Sequence, residues 1–199
     1  ETEMNTYDVF LNHPAAVSIR IVEPIEEELP MYEAYYDVDK DSTTLGLFPG
    51  FNGYGASGEA RGQVVYVNYG TPDDYRQLEK LGVSVKGKIA LARYGKVFRG
   101  LKVKEAQDHG ALGALLYSDP MDDGYMKGDV YPDGPMRPES AIQRGSVQYL
   151  SIQPGDPSTP GWPSRKGAKR VKRKDMVTVP QIPSLPMSYA SAEKILRRL

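Results

Sequence analysis

The sequence contains no cysteine and only two histidines, His13 and His109. Without cysteine the chain has no disulfides, thiolate zinc sites, iron–sulfur clusters or cysteine nucleophiles. The two histidines are far apart and neither belongs to an H-E-x-x-H motif, although a catalytic zinc site usually takes two or three histidine ligands. No G-x-S-x-G motif supplies a nucleophilic serine. These absences predict a chain that is poorly equipped to act as an enzyme by itself.

Long apolar runs and an excess of charge of one sign are also missing. No apolar run approaches the roughly 20 residues of a membrane-spanning helix. The 25 basic and 26 acidic residues give a net charge of -1, which favours neither nucleic acid nor anionic membranes as partners. The 199 residues, 40% of them hydrophobic, are enough for one domain with a core. Twenty glycines and 16 prolines indicate many turns and argue against a helical bundle.

The periodicity of the sequence predicts an α/β fold. Strands are predicted over residues 7–11 and 16–22, the second with apolar residues alternating with polar ones, and the polar stretch 24–62 is predicted to form loops with short extended pieces. A strand–helix–strand–helix–strand pattern follows, which implies right-handed crossovers onto a parallel or mixed sheet. Its strands are predicted at 63–68, 88–93 and 114–117, and its helices at 72–81, with Thr71 as N-cap, and at 98–109. Further predictions are a strand at 146–152, an extended segment at 177–188 and a helix at 191–199.

Two charged segments have competing interpretations. Residues 37–43, D-V-D-K-D-S-T, imitate the first half of an EF-hand loop, but Ser42 replaces the turn glycine and Phe48 the bidentate glutamate. A solvated loop is therefore the better interpretation of this segment. Residues 165–174, R-K-G-A-K-R-V-K-R-K, carry seven basic residues without interleaved aromatic ones. A solvated loop or helix face is favoured there over a nucleic-acid site.

The segment 92–104, A-R-Y-G-K-V-F-R-G-L-K-V-K, is predicted to form a strand-to-helix turn, where open α/β sheets bind their ligands. Lys96, Arg99, Lys102 and Lys104 cluster there, and a helix N-terminus adds positive potential. This corner could bind a carboxylate or phosphate, with Arg99 as a bidentate donor, or it could be ordinary surface charge. We expect the Arg99 guanidinium to be solvated at the carboxyl edge of the sheet and to contribute little to folding.

The same segment resembles the protease-associated domain of the glutamate carboxypeptidase II family, zinc carboxypeptidases related to the transferrin receptor ectodomain. The resemblance follows a series of motifs in the same order over nearly the whole chain. These motifs are YDVFL, GQVVYVNYGTPDDYRQLEKLG, KIALARYGKVFRG, YPDG, IQRGSV, GDPSTPGWPS and IPSLPMSYASAEKIL. The resemblance implies an α/β fold of the swivelling β/β/α type, with a mixed β-sheet sandwich and flanking helices.

The resemblance also implies a role. Residues 1–199 would form a single protease-associated domain that makes one wall of the substrate cavity of a separate peptidase domain and is inactive alone. The parent would be a metallocarboxypeptidase with two zinc ions and one structural calcium, a homodimer acting on small acidic peptides outside the cytoplasm, in the extracellular space or periplasm. The alternative is a non-catalytic interaction domain, as in the transferrin receptor. The presence of K-V-F-R-G favours the substrate-binding role.

Six residues carry site roles by this resemblance. The arginine that binds the terminal carboxylate of the substrate corresponds to Arg99, the adjacent pocket aromatic to Phe98 and the pocket lysine to Lys96. An asparagine that helps to hold the acidic substrate is replaced by Ser146, which argues against a strict preference for acidic substrates. The remaining two residues are Thr159 and Trp162, whose backbone carbonyls would bind the calcium together with glutamates of the peptidase domain.

Overall fold

The computed structural model describes residues 2–43 and 48–199. Its strands are β1 (Ile19–Ile21), β2 (Glu27–Leu29), β3 (Asn52–Gly53), β4 (Val64–Tyr66), β5 (Ile89–Arg93), β6 (Gly113–Tyr117), β7 (Gly145–Ser146) and β8 (Ser184–Met187). Its α-helices are α1 (Pro72–Lys80), α2 (Arg99–Asp108), α3 (Pro120–Asp123) and α4 (Tyr189–Leu196). Short 3-10 helices occur at Lys40–Thr43, Tyr125–Lys127 and Arg173–Asp175. Residues 44–47, part of the stretch predicted as loop, lie outside the described residues.

A four-stranded parallel sheet in the order β4-β5-β6-β8 forms the centre of the molecule. The predicted strand–helix repeat is confirmed, with α1 and α2 as crossovers between β4, β5 and β6. The start of α1 follows from its sequence, because the Thr71 hydroxyl accepts from the Asp74 N–H at 3.2 Å and the Asp74 carboxylate accepts from the Thr71 N–H at 3.0 Å. This reciprocal capping box satisfies donors that the helix itself leaves unpaired.

Side-chain alternation along β5 and β6 divides the core into two layers. On one face Ala90, Ala92 and Leu116 pack with residues of the helical side, among them Val103 of α2. On the other face Leu91 and Tyr117 pack with residues of β1, β2, β8 and α4. The period of two in a strand directs successive side chains to opposite faces of the sheet. The result is a layered α/β arrangement, as the sequence predicts.

Two small strand pairs lie outside the central sheet. β1 pairs with β2 antiparallel, and β3 pairs with β7 in parallel through only two residues on each strand. The second pair brings residues 52–53 beside residues 145–146. None of the helices in the described residues is long and apolar enough to cross a membrane.

Two predicted strands are wrong or much too long. Residues 7–11 are not part of any strand, and the Asp8 N–H is bonded to the carbonyl of Ser164, which lies in a loop. In the predicted strand 146–152 only Ser146 is in a ladder, because the chain turns after it with the Ile152 N–H bonded to the Tyr149 carbonyl. Val147 and Tyr149 are nevertheless buried, so the apolar pattern predicted burial correctly but not the pairing.

Candidate functional site

The turn between β5 and α2 has a constrained backbone. Gly95 and Lys96 have φ angles of 109° and 66°, and the second value is uncommon for a residue with a side chain. At Gly100, in the first turn of α2, a Cβ would lie 2.6 Å from the Gln148 carbonyl oxygen and 2.8 Å from that of Val147. Only glycine allows this approach. It sets the start of α2 directly against the segment that follows β7.

Arg99 lies at this junction and is half-buried. Its Cζ is 5.4 Å from the centroid of the Tyr94 ring and 5.5 Å from that of Phe98. A Cβ added at Gly145 would overlap Nη1 and Cζ of Arg99 and lie 3.0 Å from its Nε, so the guanidinium occupies the space above this glycine. Nε is buried without a hydrogen-bond partner among the described residues. The expectation of a fully solvated Arg99 is therefore wrong.

Tyr94 forms one side of the Arg99 environment. Its hydroxyl donates to the Gln143 carbonyl at 2.8 Å. Burial raises the pKa of Tyr94 to about 12, against a smaller lowering effect of the Arg99 charge. Tyr94 therefore stays neutral at physiological pH and contributes a ring face and a hydrogen bond rather than a counter-charge. The sequence analysis did not identify Tyr94 or Gly145 as site residues, although both lie in the quoted motifs.

The structure groups three of the four predicted substrate-binding residues. Ser146 follows Gly145, the residue against which the Arg99 guanidinium packs, and this guanidinium is also close to the Phe98 ring. The Ser146 hydroxyl accepts from the Gln148 N–H at 3.1 Å. Lys96 is exposed and its ammonium is 5.5 Å from the Tyr69 ring, on the loop that precedes α1. Lys96 thus adds positive charge near the turn, where the ring beside its ammonium is that of Tyr69.

Lys102 does not belong to a solvent-facing cationic cluster, contrary to the sequence-based interpretation. Only 1% of its surface is exposed, and its ammonium donates to the carbonyls of Tyr69 at 2.5 Å and Gly95 at 2.6 Å. Burial lowers the pKa of Lys102 to about 8. Lys104 is paired with Asp108 on its own helix. Lys102 joins the two loops at this edge of the sheet, and Lys104 pairs within α2, so neither side chain belongs to an open cationic cluster with Arg99 and Lys96.

Thr159 and Trp162 lie together in the turn at 156–163, and both line a shallow depression that also includes Asp156. The Trp162 N–H donates to the Thr159 carbonyl at 3.2 Å, and its indole N–H to the Lys169 carbonyl at 2.8 Å. The Asp156 carboxylate accepts from the N–H groups of Phe10 and Ser158. The turn therefore offers neutral carbonyl oxygens, which suit calcium but bind it weakly without carboxylates. The described residues contain no group of three or more His, Cys, Asp or Glu side chains placed to hold a metal.

The basic run is mainly a solvated loop, as favoured, but two of its arginines form hydrogen bonds to other segments of the chain. Arg170 donates to the Ser158 hydroxyl at 2.6 Å and to the Asp8 carbonyl. Arg173 donates to the Pro180 carbonyl at 2.6 Å, and burial lowers the pKa of Arg173. The exposed basic residues of the run are Arg165, Lys166, Lys169, Arg170, Lys172 and Lys174, and Arg173 is partly buried.

The aspartate-rich segment is tied to its surroundings rather than arranged around a cavity. Asp39 accepts from the Asp41 N–H at 3.0 Å and from the Tyr131 hydroxyl at 2.8 Å. These bonds occupy both of its carboxylate oxygens and agree with a solvated loop. Residues 44–47, within the span compared with an EF-hand, lie outside the described residues.

Comparison with known sequences finds one matching family and several close relatives. The sequence model of the PA domain matches residues 59–150. The chain is 47% identical over 160 residues to a protein of Arthroderma benhamiae named probable glutamate carboxypeptidase. This alignment covers 77% of this chain and 22% of that protein. It is also 32% identical over 201 residues to the aminopeptidase NAALADL1 of Rattus norvegicus. That alignment covers 97% of this chain and 26% of the relative. The chain thus spans about a quarter of the length of these relatives.

Among solved structures, an aminopeptidase from an Aneurinibacillus species has the same fold over 95% of this chain and 28% of its own, with a TM-score of 0.51. The identity is 14%, so this likeness concerns the fold alone.

Proposed function

Because the chain contains a PA domain that belongs with those of the glutamate carboxypeptidase-like peptidases, we propose that it forms a wall of the substrate cavity of a longer peptidase. In this proposal Arg99 binds a carboxylate of the substrate. Phe98 packs beside the bound group, Ser146 lies at its edge, and the exposed Lys96 adds positive potential. The function proposed for this chain is to bind the substrate and to orient it.

The observation that carries this proposal is the environment of Arg99. Its guanidinium is half-buried and forms no ion pair with a carboxylate of the described residues, whereas a partly desolvated charge is normally paired. The aromatic rings of Tyr94 and Phe98 restrict its position. A planar, fixed guanidinium lacking an internal counterion suits bidentate binding of a carboxylate from outside the chain.

The bond-breaking chemistry belongs, in this proposal, to other parts of the longer protein. Zinc would there activate a water molecule for attack on the peptide bond. The described residues offer no group of three or more His, Cys, Asp and Glu side chains to hold that metal, so no step of the reaction is assigned to this chain. Thr159 and Trp162 would supply carbonyl oxygens to a calcium ion shared with the neighbouring domain.

Titration of the ¹⁵N-labelled chain with glutarate, followed by NMR, tests the carboxylate site. We expect glutarate to shift the Arg99 Nε–Hε signal, and R99Q to weaken binding about tenfold or more, the effect of losing a charged hydrogen-bonded contact. The control is R20Q, because Arg20 is an exposed arginine paired with Glu26 on another part of the surface. Equal affinity of R99Q and the unmodified chain would contradict the proposal.

The purified chain should also lack peptidase activity. We expect no hydrolysis of an acidic dipeptide with or without added zinc, because His13 and His109 are held in unrelated contacts, with the Pro14 carbonyl and with the Tyr75 ring. Hydrolysis that a chelator abolishes, and that H13A or H109A also removes, would show a catalytic centre within this chain.

A further inference from the structure

We propose that Arg144 is a positioning residue for the carboxylate site, and that its ion pair with Glu33 fixes the backbone on which the Arg99 guanidinium rests. The proposal builds on the function proposed for Arg99. It assigns to Arg144 no contact with the ligand, only control of where Arg99 can lie.

Arg144 has an unusually complete set of partners. Its two terminal nitrogens bind the two carboxylate oxygens of Glu33 in a bidentate pair, with Nη2 at 2.8 Å from Oε2. Nη2 also donates to the Phe48 carbonyl at 2.7 Å, Nε to the Pro49 carbonyl at 3.1 Å, and Nη1 to the Ile142 carbonyl at 3.3 Å. One side chain therefore joins three separate segments of the chain, around residues 33, 48–49 and 142.

These segments need such a link because their own pairing is minimal. β3 and β7 share only two residues each, and a ladder this short is not stable by itself. Arg144 immediately precedes β7, while Phe48 and Pro49 lead into β3. Gly145, the first residue of β7, is the surface against which Arg99 packs. The ion pair thus holds together the two strands that form this side of the site.

The electrostatics are consistent with a persistent pair. Burial alone would raise the pKa of Glu33, but the hydrogen bonds and charge of Arg144 outweigh it, so that the pKa of Glu33 is lowered. The side chains of Arg144 and Glu33 are 29% and 33% exposed. Both groups are ionised at neutral pH, and the fork geometry needs an arginine, which a lysine would not reproduce.

The variant E33Q separates positioning from simple electrostatics. It removes a negative charge close to the site, so charge alone would make glutarate bind more tightly. Loss of the bidentate pair should instead loosen Gly145, and we expect E33Q to weaken glutarate binding about fivefold, less than the loss expected for R99Q because the Arg99 contact itself remains. R144K should weaken it similarly although it keeps the charge. R20Q, which breaks the exposed Arg20–Glu26 pair, should leave the affinity unchanged.

A second measurement on the same samples needs no ligand. The Nε–H of Arg99 is buried, so its hydrogen exchange should be slow, and E33Q and R144K should each accelerate it about tenfold, while core amides of β5 and β6 keep their protection. The proposal would be overturned if, in E33Q, the Arg99 Nε–H exchanged at its original rate and glutarate bound as tightly as before or more tightly. If R99Q leaves glutarate binding unaffected, the proposed function fails. The hydrogen-exchange rates of the Arg99 Nε–H in E33Q and R144K still decide whether Arg144 positions Arg99. Loss of protection throughout the core in both variants would show a role in global folding and would also overturn it.

Discussion

At the scale of single residues, the site depends on two glycines that touch different kinds of atoms. A Cβ at Gly100 would meet the backbone carbonyls of Val147 and Gln148, whereas a Cβ at Gly145 would meet the end of the Arg99 side chain. Backbone held by neighbouring structure yields little, but a side chain with several rotatable bonds can move away. The same added methyl group should therefore affect mainly folding at Gly100 and mainly the position of Arg99 at Gly145.

We predict that G100A lowers the free energy of unfolding by about 2 kcal/mol, despite the gain in helix propensity, because the start of α2 must move away from residues 147–148. G145A should change it by less than about 1 kcal/mol but displace Arg99 and weaken glutarate binding. Urea unfolding and the NMR titration, applied to both variants, measure the two effects. A stable G100A, or a G145A that binds glutarate normally, would contradict these contacts.

The Arg99 environment shows how far residue-level inference from sequence extends. The K-V-F-R-G motif points to Arg99 and Phe98 through the resemblance alone, and their assignment as site residues stays a prediction. It could not show that the guanidinium rests on Gly145, because residues 99 and 145 are far apart in sequence and meet only where the start of α2 packs against the segment that follows β7. Its partial burial was missed for the same reason.

At the scale of elements, the best predictions rest on local interactions. The capping sequence Thr71–Asp74 sets the start of α1, and the apolar runs of β5 and β6 pair as neighbours. Residues 7–11 have the apolar residues of a strand but pair with no strand among the described residues, since an apolar pattern does not specify a partner. Lys102 was misjudged although helical periodicity places it on the same face as Val103 and Ala106, which are buried.

The burial of Lys102 in α2 makes a prediction about pH. The pKa of Lys102, about 8 in the folded chain, is below the ordinary lysine value of 10.5. The unfolded chain therefore binds more protons between these two pH values, and the stability contributed by this group rises with pH. From pH 7 to 10 the gain is about 2 kcal/mol, on the basis of 1.36 kcal/mol per pKa unit. The neutral amine still donates to both carbonyls.

Urea unfolding of the chain and of K102M at pH 7 and 10 measures this effect. The buried tyrosines, whose pKa values are raised, titrate in both proteins and cancel in the difference. The stability of the unmodified chain relative to K102M should increase with pH. A difference that is constant or decreases would show that the Lys102 ammonium is not desolvated.

At the scale of the whole molecule, the chain combines a core covered by its own residues with two proposed sites that it would not complete alone. The central sheet is covered on both faces by its own residues, so we expect it to fold alone. In contrast, the Arg99 guanidinium has no carboxylate partner among the described residues, and the 156–163 turn offers carbonyl oxygens without free carboxylates. A chain spanning about a quarter of its relatives' length fits this division between folding and function.

Calcium binding provides the test of this division. If Thr159 and Trp162 need carboxylates from another domain, millimolar calcium should not raise the melting temperature of the chain, because only binding to the folded state stabilises it. Magnesium at the same concentration controls for ionic strength. A calcium-specific rise would show that this chain completes a site by itself, and D156N and D39N would then distinguish the 156–163 turn from the aspartate-rich loop. Asp156 already accepts bonds from Phe10 and Ser158, and the cost of breaking them is the physical reason to expect no rise.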